Sequence, residues 1–365
     1  MEATYRKQLD EYLEKIDSVI ENGRYKDNWE SLSAYPVPTW YKNAKFGVFL
    51  HWGVYSVPAY YSEWYPRLMY YKGNPVYWHH KKKYGKDFNY RDFVPMFKAE
   101  KFDAEKWVSI LKSAGAKYIM PVGEHHDGYK MYDSDLSRWT SVKQAPHCDF
   151  LGELRKECDK QGVTFATSTH RAEHFWFLNG GRTVGYDNEV LDEKYRDFYG
   201  PAHNIHKINN LHNFLKQEHG ITPTKEWLED WLVNSCELID KYHPETLFFD
   251  WWVMNYAFRP YMKKFLALFA VAIVAVGILA GCSSSNTSSD NSTSTENDPN
   301  KFTIVATLFP QYDFARQIAG DKANIELILP PGVESHTFDP SPSDIITINN
   351  SDVFLYTGSN METYH

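Results

Sequence analysis

Three histidine-bearing clusters and one aspartate carry the chemistry open to this chain. His51, the run Glu124-His125-His126-Asp127-Gly128, Thr169-His170-Arg171 and Asp250 each follow a short apolar stretch. Asp250 closes Leu247-Phe248-Phe249 and has Trp251-Trp252 behind it. A carboxylate held among aromatics can serve as a nucleophile or base; at a strand end it can also cap a helix. Adjacent His125 and His126 let one imidazole enter a site while the other braces it. Neutral imidazoles suit sugar hydroxyls and metal ions equally. Glu63-Trp64 sits among Tyr55, Tyr60, Tyr61 and Tyr65. Aromatic faces beside a carboxylate fit a pyranose ring, whose C–H faces stack while its hydroxyls hydrogen-bond; a self-packed aromatic loop is the plainer alternative.

These groups need elements to position them, and the flanking sequence supplies a repeated pattern. Lys45 to Leu50 reads as a buried strand that ends at His51. Asp103 caps a helix carrying Trp107, Val108, Ile110 and Leu111; Gly115 ends it and Tyr118 to Val122 follows as a strand. Asp149 caps a second helix with Phe150, Leu151, Leu154 and Cys158; Gly162 ends that one before the strand Val163 to Ala166. A third helix spans Lys225 to Tyr242, is stopped by His243-Pro244, and leads into Thr246 to Phe249. Helices alternating with continuously apolar strands predict a parallel sheet. Every polar cluster falls at a strand's C-terminal end, the rim on which (β/α)₈ barrels build their sites. A doubly wound sheet would carry a glycine-rich loop after its first strand, and His51-Trp52-Gly53 is not one. The expectation is an α/β fold: a partial (β/α)₈ TIM barrel of about four βα units over residues 30–261. Residues 1–29 precede it as an amphipathic helix with Tyr5, Leu9, Leu13, Ile16 and Ile20 on one face.

Composition bounds the partners. The net charge of −8 argues against nucleic acid, which needs a basic face. Lys81-Lys82-Lys83 reads as a solvated loop. Cys148, Cys158 and Cys236 have no paired spacing and suit reduced thiols.

Taken in order, Trp40-Tyr41, Phe46-Gly47-Val48-Phe49-Leu50-His51-Trp52-Gly53, Ser62-Glu63-Trp64-Tyr65, Phe102-Asp103 to Gly115-Ala116-Lys117-Tyr118, Glu124 to Gly128 and Leu247 to Asp250 resemble the α-L-fucosidases of glycoside hydrolase family 29. The resemblance implies a retaining exo-glycosidase that releases terminal α-L-fucose from fucosylated glycans or oligosaccharides and needs no cofactor. By resemblance Asp250 is the nucleophile, and His51, Trp52, Glu63, Trp64, His125 and His126 hold the sugar. Where the family often carries a Tyr-Ser pair, this chain reads Thr167-Ser168-Thr169-His170. The family's acid/base lies C-terminal to the nucleophile, and the matching pattern stops near Met262, so the acid/base is expected to be absent.

At Met262 the character of the chain changes. All twelve Trp precede it. Met262-Lys263-Lys264, the sixteen apolar residues Phe265 to Ala280 and Gly281-Cys282 form a charged, an apolar and a small-residue segment in the order of a signal peptide. Leu279-Ala280-Gly281-Cys282 resembles the lipobox of bacterial lipoproteins, which implies lipidation at Cys282. With Arg259, Lys263 and Lys264 on its N-terminal side, residues 262–282 are expected to form a transmembrane-like helix. The first half would then stay cytoplasmic, and the second would be membrane-anchored outside the cytoplasmic membrane of a bacterium. Ser283 to Asn300 reads as a disordered Ser/Thr/Asn linker. Residues 301–365 read as a truncated α/β solute-binding lobe. Ile304 to Phe309, Gly332 through His336 to Pro340, and Asp352 to Gly358 resemble the start of zinc and manganese solute-binding lipoproteins of ABC importers. That resemblance implies Zn or Mn as ligand, an ABC permease as partner and His336 as a first metal ligand; one imidazole alone makes an incomplete site.

The whole chain therefore reads as a chimera, two proteins joined near Tyr261 to Ala267 by recombination or misassembly. A different enzyme class also fits the first half: a metal-dependent TIM-barrel hydrolase with His51, His125, His126 and Asp250 as ligands. Such enzymes usually show His-x-His after strand one, which His51-Trp52-Gly53 lacks.

Overall fold

In the computed structural model the apolar stretches pair in parallel, as their continuous hydrophobicity predicts. Residues 3–182, 188–204, 222–279, 301–329 and 341–356 are described, and the chain divides into two compact units, Met1–Ser283 and Ser284–His365. In chain order the first unit places α1 (Ala3–Asn22), β1 (Gly47–Leu50), α2 (Pro75–Tyr84), α3 (Ala104–Ser113), β2 (Tyr118–Glu124), α4 (Phe150–Gln161), β3 (Thr164–Phe165), β4 (Thr167–Thr169), α5 (Arg171–Phe177), α6 (Lys225–Tyr242), β5 (Leu247–Phe249) and α7 (Arg259–Leu279). The sheet runs β1-β2-β4-β5, with β3 beside the start of β2.

The predicted caps do their work. Asp103 accepts from Lys106 N–H, Asp149 from Gly152 N–H and Thr224 from Trp227 N–H, each satisfying an orphan donor of a first turn. Gly162 ends α4 in the left-handed region at φ +67°. The expected third strand is broken in two, for a local reason. Pro121 in β2 has no N–H to give the ladder, and Thr167 Oγ1 donates to Pro121 O at 2.9 Å where the strand changes partner. Beyond the break, Thr167 pairs with Leu247 and Thr169 with Phe249. The sheet curves enough for the inward rings of Phe49 on β1 and Phe248 on β5 to meet at 5.5 Å. This is a partial, barrel-like sheet with helices packed against it.

Three expectations are corrected. Lys81-Lys82-Lys83 is the last turn of α2, not a loop; cations there face the negative end of the helix dipole. The expected transmembrane-like helix is α7, and Phe265, Ala267, Leu268 and Ala270 are buried in the protein core with Leu9 and Ile16 of α1 and Trp231 of α6. Phe265 meets Phe249 at 4.8 Å, and Lys264 pairs with Asp17. Among the described residues no helix is long and apolar enough to cross a membrane. The same finding overturns the expected membrane anchoring of the second half: among the described side chains of that run, Phe265, Ala267, Leu268 and Ala270 are packed in the core of the first unit. Cys282 lies outside the described residues.

In the second unit three parallel strands, β6 (Phe302–Ala306), β7 (Ala323–Leu327) and β8 (Val353–Leu355), run in the order β7-β6-β8, with α8 (Phe309–Ala319) and α9 (Pro342–Asn349) between them in sequence. Ile304 pairs with both Ile325 and Val353. His336 lies outside the described residues.

Candidate active site

Parallel register brings the chemical residues to one rim. His51 follows β1, His125 and His126 follow β2, His170 follows β4, and Asp250 follows β5. Their side chains converge. Asp250 Oδ2 accepts a hydrogen bond from His126 Nε2 at 2.8 Å and lies 3.2 Å from His170 Nδ1. His170 Nδ1 is 3.1 Å from His126 Nε2. The ring of His51 stands 5.7 Å from His125 and 5.5 Å from His170, both edge-on. Tyr55 meets His125 at 4.7 Å, and Trp64 meets His126 edge-on at 6.0 Å.

Asp250 is the reachable carboxylate of this group. Its side chain is 23% exposed, whereas Glu124, Asp127, Glu173 and Asp230 are buried. Glu63 is half-buried in the aromatic loop, and its charge acts on His51. Trp52 is not brought to the rim cluster. It packs among Phe97, Phe102, Trp107 and Phe150, with ring centroids 4.9–5.7 Å away, and serves as a wedge between the loop after β1 and the outer helices.

Glu173 was not singled out by sequence. It is fully buried on α5, and its Oε2 lies 2.8 Å from His126 Nε2. The one proton on Nε2 is directed to Asp250, so Glu173 acts as an ion-pair partner. Burial alone would lower the pKa of His126, but the hydrogen bond to Asp250 and the charge of Glu173 outweigh it and hold the imidazole up to about 9. The other three go the opposite way. Burial pushes His170 down to about 4, His125 well below its ordinary value, and His51 below it. At neutral pH the rim therefore carries one imidazolium, clamped between two carboxylates, and three neutral imidazoles.

A second layer fixes these groups. Arg171 bridges Glu124 and Asp230, reaching Asp230 Oδ2 at 2.6 Å, and so ties the end of β2 to α6 under the histidines. His174 Nδ1 donates to the carbonyl of His126 at 2.8 Å. Its ring occupies the space where a side chain on Gly128 would stand, 2.5 Å from the Cβ position, and Gly128 has φ +81°; only glycine fits there. The signal for this layer was present in Arg171-Ala172-Glu173-His174, a polar run directly after a strand. Glu173 sits three residues after His170, one helical turn along, and so returns to the same side.

The cluster has the donors for a metal ion. Ligand atoms of His51, His125 and His170 lie within 4.8 Å of one another, as do those of His126, His170 and Asp250. The single set His51, His125, His126 and Asp250 expected for a metal hydrolase is thus divided between two groups that share His170.

The family model described as Alpha-L-fucosidase matches residues 12–328, and the model described as Zinc-uptake complex component A periplasmic matches residues 304–365. An alpha-L-fucosidase of Dictyostelium discoideum is 38% identical over 40% of this chain and 34% of its own length. The tissue alpha-L-fucosidase of Homo sapiens is 40% identical over 39% of this chain and 31% of its own. The chain therefore spans about a third of the length of these relatives. The crystal structure of a Thermotoga maritima alpha-fucosidase in complex with fucose superposes with a TM-score of 0.52 at 29% identity, covering 67% of this chain and 54% of that one. By the match over residues 12–328, the chain belongs to the alpha-L-fucosidase family.

Proposed function

We propose that the first unit acts on terminal α-L-fucose of glycans or oligosaccharides as a retaining exo-glycosidase, with the barrel spanning residues 30–261. The observation that carries this reading is Asp250, the reachable carboxylate at the rim, oriented by His126 and His170. An oxygen of Asp250 attacks the anomeric carbon, the bond from that carbon to the leaving oxygen breaks with its electron pair on the aglycone, and a fucosyl ester forms; water then cleaves the ester. His51, His125 and His126 hold the hydroxyls, while Trp64 supplies an apolar wall and Glu63 a carboxylate from the aromatic loop. Retaining chemistry places a second carboxyl group about 5–5.5 Å from the nucleophile to protonate the leaving oxygen. Glu173 shares the His126 Nε2 with Asp250 and is fully buried behind that imidazole, where it has no access to a leaving group. The reading therefore favours substrates whose leaving group needs no proton. Trapping tests it: an activated 2-fluoro-fucoside should add one fluorofucosyl mass to the peptide containing Asp250, and not in Asp250→Asn. Labelling elsewhere would sink the assignment.

The match over residues 304–365 supports a second reading for the second unit. Residues 301–365 act as the opening part of a zinc- or manganese-binding lobe, with His336 as its first ligand and an ABC permease as partner of the complete family. Loss of weak Zn²⁺ binding in His336→Ala, measured by equilibrium dialysis on the full chain, checks it.

A further inference from the structure

We propose that His51, His125 and His170 form a binding site for a divalent transition-metal ion, Zn²⁺ before others, set across the rim of the first unit. This goes beyond the fucosidase reading and does not depend on it.

The three imidazoles come from the ends of three neighbouring strands, β1, β2 and β4, so the sheet itself brings them together. Their ligand atoms already lie within 4.8 Å of one another. Zinc binds imidazole nitrogen at about 2.0–2.1 Å, which sets tetrahedral nitrogens roughly 3.3 Å apart. The trio must contract by up to about 1.5 Å to reach that spacing, and His51 can supply the movement. It is exposed, whereas His125 and His170 are both buried.

The two buried members are prepared in different ways. His125 Nδ1 is buried without a hydrogen-bond partner among the protein groups, an arrangement that asks for an explanation. His170 Nδ1 lies 3.2 Å from Asp250 Oδ2, the carboxylate–histidine pairing that orients a metal-binding ring. Burial keeps all three rings toward the neutral form that coordinates. Imidazole donors select zinc and its neighbours over magnesium or calcium. Three protein ligands leave one position open toward the rim.

The neighbouring set of His126, His170 and Asp250 is a poorer choice. His126 Nε2 is already clamped by Asp250 and Glu173, each at 2.8 Å, and a proton held there excludes a cation. Because the proposed sugar site also uses His51 and His125, a bound ion and a sugar would exclude each other.

Tag-free full-length protein carrying His336→Ala, which removes the candidate ligand of the second unit, is titrated with Zn²⁺ by calorimetry and with Co²⁺ by visible absorption. One ion per chain is expected, with the intense bands of low-coordinate Co²⁺. His51→Gln changes an exposed residue and should leave the fold intact while weakening binding at least about tenfold, the lower end of what even loss of an outer partner costs. His170→Gln, checked for an unchanged melting temperature, should do the same; His147→Gln, on an exposed loop, should not. The absence of one-to-one binding overturns the proposal, as does undiminished binding in His51→Gln. Binding that falls in Asp250→Asn, a half-buried member of the neighbouring set, but not in His51→Gln puts the ion in that set and equally overturns the proposal.

Discussion

His126 Nε2 and Glu173 Oε2 lie 2.8 Å apart, and neither residue is more than 3% exposed at its side chain. The pair sits directly behind Asp250, whose Oδ2 takes the proton of the same nitrogen. The imidazolium thus has one carboxylate facing the rim and another sealed in the protein. When Asp250 becomes an ester in the proposed reaction its negative charge is lost, and Glu173 still balances His126.

Breaking this pair should be costly in one direction only. Removing one partner of a buried ion pair leaves an uncompensated charge and typically costs about 3–5 kcal/mol. His126→Gln should therefore destabilise the first unit strongly, while the double change His126→Gln with Glu173→Gln should recover much of the loss. Urea denaturation of the singles and the double gives the coupling. Additive losses would mean that the two groups do not act as a pair.

Asp250→Gly should abolish turnover of aryl fucosides, and azide should restore part of it. The small anion occupies the space of the missing carboxylate and attacks the anomeric carbon, yielding a fucosyl azide of inverted configuration. In the unaltered chain, activated aryl fucosides should be turned over far better than an unactivated disaccharide, because general acid assistance is worth about 10²–10⁴-fold. Chromatography of the azide product decides the first point. A disaccharide cleaved as fast as an activated aryl fucoside would contradict the second.

How much of this was legible beforehand depended on range. Asp103, Asp149, Gly162 and His243-Pro244 act on their own helices, so the elements they bound could be read from a few residues. His51, His125, His126 and Asp250 were legible as a group because each directly follows an apolar strand, and parallel strands deliver such positions to one rim. The roles of Glu173 and Asp230 were not, because their partners lie far along the chain, and Arg171 stood out as part of a polar cluster without its bridge being readable: it joins residues 47 positions before it and 59 after. Trp52, given a sugar-holding role by the resemblance, packs among Phe97, Phe102, Trp107 and Phe150, partners that lie 45 or more positions along the chain and could not be read from its neighbours. The apolar run from Phe265 failed for a different reason. Hydropathy reports that a surface avoids water, not whether lipid or the core formed by α1 and α6 receives it.

Arg171 should not tolerate lysine. Its guanidinium reaches Glu124 and Asp230 from different nitrogens, and a single ammonium cannot span both in that fixed geometry. Arg171→Lys should lower stability by about 3 kcal/mol and loosen the end of β2 on which His125 and His126 stand. Thermal unfolding with fucose-binding calorimetry separates the two effects. A lysine variant with unchanged melting temperature would show that the bridge is not needed.

Acid should weaken the first unit through His80, which is not one of the rim histidines. His80 is fully buried. Its Nε2 lies 2.8 Å from the carbonyl of Phe88 and its Nδ1 2.9 Å from Tyr65 Oη. A carbonyl only accepts, so Nε2 carries the proton and Nδ1 accepts from the tyrosine hydroxyl. The neutral ring is fully satisfied, and burial pushes its pKa down to about 4. The unfolded chain takes up this proton near the ordinary value of 6.5, so between 6.5 and 4 the unfolded state binds more protons than the folded one. Stability from this group is complete above 6.5, falls as the pH drops through that window, and levels off below 4, for a loss of roughly 3 kcal/mol at most. Urea midpoints measured from pH 7 to pH 4 should fall more steeply in the unaltered chain than in His80→Gln. That variant should be weaker at pH 7 because glutamine cannot reproduce both hydrogen bonds. Parallel pH curves for the two proteins would show that His80 does not titrate as its burial requires.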